Sequence, residues 1–83
     1  MKKEKITFLV LDGCPLMCEA YKSIINNTNK GNTYDLNINL IHDPKIANNF
    51  INEVIQNKTP LDIVILELNF SKKMIKIKFL ERI

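Results

Sequence analysis

Two acids each stand directly after an uninterrupted apolar run. Asp12 follows Phe8–Leu11 and Glu67 follows Ile63–Leu66. A carboxylate there can hold a divalent cation, attack an electrophile, cap a helix or simply end a strand. Gly13 and Cys14 extend the first acid into a short polar break, and Leu68-Asn69-Phe70 extends the second. Cys14 and Cys18 lie four apart, and the chain has one histidine, His42. Two thiols and one imidazole do not complete a tetrahedral metal set, so no metal is expected and the cysteines read as buried or half-buried structural thiols.

Composition narrows the setting. The chain has 83 residues, 46% of them hydrophobic and 25% charged, which suits one small domain and argues against global disorder. A chain this size buries only roughly 60–65% of its unfolded surface, so its stability margin is thin. The net charge is +3. Its surplus sits at the ends, in Lys2, Lys3 and Lys5 and again in Lys72, Lys73, Lys76, Lys78 and Arg82. A small basic nucleic-acid-binding protein is one reading of those tails. It ranks low, because Arg82 is the only arginine and no helix-turn-helix or aromatic platform is visible. The apolar run Ile6–Leu11 is short for a signal-peptide core, and no run approaches the ~20 apolar residues that cross a bilayer. The expected setting is the cytoplasm, without membrane, with both thiols reduced.

The elements that must position the acids follow from hydrophobic patterning. Lys5–Leu11 reads as a strand buried on both faces. Pro15 opens a helix whose stripe is Met17, Ala20, Tyr21 and Ile24, flanked by Leu16 and Ile25, ending near Asn26 or Asn27. Residues 26–33 read as a loop. Asp35–His42 alternates Leu36, Ile38 and Leu40 with polar residues, which suits an edge strand. Asp43 caps, and Pro44 starts, a second helix lined by Ile46, Ala47, Phe50, Ile51 and Val54, with Ile55 beside them, which stops before Thr59-Pro60. Within Leu61–Leu68, Ile63–Leu66 is the strongest buried-strand signal. Met74–Ile83 reads as a short, blurred helix. The order βαβαβα predicts an α/β fold with a parallel sheet of strand order 2-1-3, a partial flavodoxin-like (CheY-like) arrangement with its first and third strands inside. Such sheets bind ligands outside the carboxyl ends of the strands, where Asp12–Cys14 and Glu67–Phe70 meet.

Three segments resemble the receiver domains of bacterial two-component response regulators, nearest to those of the LuxR/NarL type. They are Ile6–Met17 with its continuation Glu19–Ile25, Leu61–Phe70, and more weakly Ile77–Ile83. The resemblance covers nearly the whole chain but only three strand–helix units of a five-unit fold, so residues 1–83 read as one incomplete receiver-like domain. It implies a carboxylate that accepts a phosphoryl group, a Mg²⁺ ion held by an acid pair and a backbone carbonyl, and a hydroxyl and a lysine from later strands.

Against that pattern, Asp12 keeps the first acid and Gly13 stands where the second, metal-binding acid is expected. Glu67 occupies the phospho-acceptor position, one methylene longer than aspartate, and Asn69 supplies the backbone carbonyl. Ser71 replaces the proline of the turn, and the segments that would carry the hydroxyl and lysine are not in the sequence. Mg²⁺ binding is therefore expected to be weak or absent, with no cofactor and no catalysis. Plain readings stand beside this: Asp12 as a helix cap or strand end, Glu67 as a strand-end carboxylate or as a mimic of phospho-aspartate. The leading expectation is a degenerate receiver of a phosphorelay system, a phosphorylation-independent binding or dimerisation module. The alternative is the receiver half of a longer phospho-accepting, DNA-binding response regulator. The partner is a protein or a second copy, expected as a homodimer through the third-strand edge; a sensor kinase or DNA enters only if the natural chain is longer. Apolar surface beside the first helix should also be exposed.

Overall fold

The structure, a computed structural model, describes residues 3–73. The elements in chain order are β1 (Glu4–Leu11), α1 (Pro15–Thr28), β2 (Tyr34–Ile41), α2 (Pro44–Asn57), β3 (Ile63–Leu66) and α3 (Leu68–Lys73). The three strands form one parallel sheet of order β2-β1-β3. The alternation of strands with helices and the 2-1-3 order are those expected, and they make a partial flavodoxin-like α/β fold.

The pleat of β1 divides the core. Leu9 and Leu11 face one side, where they pack with Ile41, Ala47, Ile51 and Phe70. Val10 faces the other, with Cys18 and Ile25 and the half-buried Phe8, Tyr21, Leu36, Ile38, Leu40 and Ile65. Successive side chains on a strand point to opposite faces, so a four-residue apolar run on the central strand feeds both layers. Leu9, Val10 and Leu11 are fully buried.

Local chemistry sets the ends of the elements. Asp43 Oδ1 accepts the Lys45 N–H at 2.9 Å and Pro44 occupies the first turn of α2, as read from sequence. After α2, Lys58 is left-handed (φ 51°); its N–H reaches the Ile55 carbonyl and the Thr59 N–H reaches that of Val54. Those two bonds form a helix-terminating turn that usually employs glycine. Helix α1 runs to Thr28, slightly past the expected end. A 3-10 turn over Lys30–Asn32 follows, with Gly31 at φ 74°. The Asn29 amide pins the loop through both atoms, Nδ2 donating to the Tyr34 carbonyl and Oδ1 accepting the Tyr34 N–H.

Four expectations need correction. The stripe of α1 is rotated by one residue: Cys18, Tyr21 and Ile25 face the sheet, while Ala20 is exposed, as are Leu16 (79%), Met17 (43%) and Ile24 (59%). The helix has an apolar arc wider than the surface available, and the sheet takes only one flank of it. On α2, Ile46 (56%) and Ile55 (39%) also lie exposed, and Ala47, Ile51 and Val54 do the packing. Strand β3 is not interior in the described sheet; it is an edge, half-buried, with Ile63 42% exposed, because no described strand flanks it. Leu68, read as the end of the third strand, and the turn read after it to Ser71 fall within α3. The helix expected over Met74–Ile83 lies outside the described residues.

Candidate functional site

The carboxyl ends of the strands are clipped together. The Asp12 N–H donates to the Ile41 carbonyl at 3.3 Å, and the Glu67 N–H donates to the Leu11 carbonyl at 2.9 Å. These bonds tie the first residue after β1 to the last of β2, and the first residue after β3 to the last of β1. The acids therefore stand on adjacent strand ends because the parallel register demands it.

Above them lies a cleft of ≈340 Å³ lined by Asp12, Gly13, Cys14, His42, Pro44, Glu67, Asn69 and Phe70. All four residues singled out from sequence, Asp12, Gly13, Glu67 and Asn69, border this one cleft. Cys14 and Phe70, which the strand-end rule also placed here, line it as well; His42 and Pro44 are additions. The position rule that found the acids, the first residues after each strand, would also have found His42, which follows β2 directly.

Both carboxylates serve the backbone. Asp12 is 6% exposed, and its Oδ1 accepts the Cys14 N–H at 2.9 Å across a tight turn. Glu67 Oε2 accepts the Phe70 N–H at 2.8 Å, an N-terminal cap on α3 that also holds Phe70 in the core. Gly13 contributes no carboxylate, and a Cβ built on it meets nothing within 4 Å. Among the described residues, no three His, Cys, Asp or Glu side chains converge to hold a metal ion. Asp12 and Glu67, each already accepting a backbone N–H, make with one backbone carbonyl a poor donor set for Mg²⁺, which asks for near-octahedral oxygen ligation. The residues present do not fit that ion.

The two thiols differ. Cys14, expected to be at least half-buried, is exposed; it precedes Pro15 at the helix start, where its backbone carries the turn. Cys18 is buried and donates its Sγ–H to the Asp12 carbonyl at 3.4 Å. Burial pushes the Cys18 thiol above its ordinary pKa, with the nearby Asp12 charge adding to it.

A second polar constellation lies at the opposite end of the sheet. Asp62 Oδ2 accepts the Thr7 N–H at 2.8 Å while the Asp62 N–H donates to the Thr7 carbonyl at 3.0 Å. Sequence reading gave Asp62 no role; here its side chain stands in for a backbone ladder partner. No helix among the described residues is long and apolar enough to cross a membrane. Comparison of the chain with protein-family models, curated proteins and solved structures found no match in any of the three.

Proposed function

We propose that this chain is a degenerate receiver module of the two-component signalling type, a cytoplasmic binding unit that keeps the acidic rim of a phospho-accepting site without its chemistry. The observation that carries this reading is the meeting of Asp12 and Glu67 at one cleft, over the carboxyl ends of β1 and β3 in a parallel 2-1-3 sheet. Ligand sites of doubly wound sheets lie at that switch point.

Several features argue against phosphoryl transfer. In-line attack needs a carboxylate oxygen held within a narrow distance and angle of the phosphorus. One oxygen of Glu67 is committed to the Phe70 N–H, and the side chain is a methylene longer than aspartate. Charge on the phosphoryl oxygens needs a cation, and Gly13 leaves Asp12 as the one carboxylate of the expected pair. What remains is a rigid rim able to present acids and backbone to a protein partner or a second copy.

Incubation with acetyl phosphate and Mg²⁺, followed by intact-mass measurement, tests this. The expected mass is unchanged. An adduct of one phosphoryl group that disappears in Glu67→Gln would overturn the reading and favour a working receiver in a longer protein.

A further inference from the structure

We propose that the outer edge of β3 is a self-association surface, on which β3 of a second copy pairs antiparallel across a twofold axis normal to the sheet. This rests on the reading of the chain as a binding or dimerisation module and names its partner. The two edges of the described sheet are built differently. β2 alternates Asp35, Asn37 and Asn39 with apolar residues, so one of its faces is polar. β3 is Ile63-Val64-Ile65-Leu66, with no charge, no proline and no described strand beside it. Natural edges are usually guarded by lysine, proline or a bulge, and an unguarded apolar edge is a template for another strand.

The sequence of the edge is compatible with itself in a specific way. By their register with β1, Ile63 and Ile65 share the face of Phe8 and Val10, and Val64 and Leu66 share the face of Leu9 and Leu11. A twofold axis normal to the sheet keeps each face on its own side. Val64 can then stand opposite Val64 of the second copy, with Ile63 opposite Ile65, giving β-branched pairs directly across the junction. A slip of one residue would send the apolar side chains to the wrong faces. It would also set Asp62 opposite Glu67 of the second copy, like charges in register. The acids bounding the strand thus select against the wrong register. The product is a six-stranded sheet, and the half-exposed Ile63 becomes covered. Each strand offers only four residues, so the interface is small and the dimer weak, forming at high protein concentration. The paired segment is uncharged in a chain of net charge +3, so added salt should strengthen association by screening repulsion.

The test is light scattering on the 83-residue chain over a wide concentration range, joined to amide hydrogen exchange. The expected mass climbs from 9.6 kDa toward twice that value, and protection at residues 63–66 rises with it. Ile63→Lys should stay folded by circular dichroism and remain at the mass of one chain. Ile24→Lys, on the outward flank of α1, should still associate. A single-chain mass at every concentration overturns the proposal. So does protection of residues 63–66 that is independent of concentration, which would mean that another part of the same chain covers the edge. Association lost in Ile24→Lys but kept in Ile63→Lys would place the interface on α1 and also overturn it. The phosphoryl-adduct measurement reads Glu67 and does not depend on Ile63, so this proposal and the reading of the cleft can fail separately.

Discussion

At the scale of single residues, the cleft is held by acids that act on the backbone. Glu67→Ala removes the cap from the Phe70 N–H and should cost about 1 kcal/mol in urea unfolding. Glu67→Gln keeps an accepting oxygen and should cost much less, a contrast that separates capping from charge. Gly13 has open space where a side chain would begin, so Gly13→Asp should be tolerated. Combined with Glu67→Asp, it should give measurable Mg²⁺ affinity by calorimetry where the parent gives little; no gain would argue that the rim is not the remnant of a metal site. The thiols should separate cleanly: a disulfide reagent titrates one thiol per native chain, Cys14, and Cys18 reacts only on unfolding. Because the Cys18 pKa is raised in the folded state, its protonated form is favoured by folding. Unfolded chains lose that proton first as pH rises, so stability is full below the ordinary thiol pKa and declines above it. Cys18→Ala should flatten the alkaline limb of the stability profile while lowering the plateau.

At the scale of elements, the turn after α2 gives the sharpest test. Lys58 adopts a left-handed conformation that costs a non-glycine residue roughly 1 kcal/mol, so Lys58→Gly should raise the unfolding midpoint in denaturant. The elements that were legible in the sequence are those whose signals were redundant. β1 and α2 had a pure apolar run and an Asp-Pro start, and both formed where expected. α1 had apolar residues around nearly half its circumference, so period alone could not say which flank the sheet would take. That choice is made by how the helix crosses β1 and β2, a tertiary fact. Residues 68–71 read as a strand end and a turn because six residues are too few for a periodic signal, and α3 forms there under the Glu67 cap with Phe70 anchored in the core. The candidate site was legible because position after a strand is a topological property. The commitment of both carboxylates to backbone N–H groups was not, since it depends on turn geometry that residue types leave open.

At the scale of the whole molecule, the sheet of the described residues has one central strand, and everything described depends on it. Leu9→Ala should cost ~2–5 kcal/mol, comparable with the whole stability of a domain this small, and abolish the cooperative unfolding transition. The same centrality has a bearing on biosynthesis. β1 is made first, yet β3, which closes one of its sides from Phe8 to Leu11, is made near the end of the described chain. A nascent chain emerging from the ribosome therefore carries the apolar Phe8–Leu11 stretch of β1 with its β3 side uncovered through most of its translation. Pausing before Ile63 would prolong the interval in which chaperones must shield that stretch from other nascent chains.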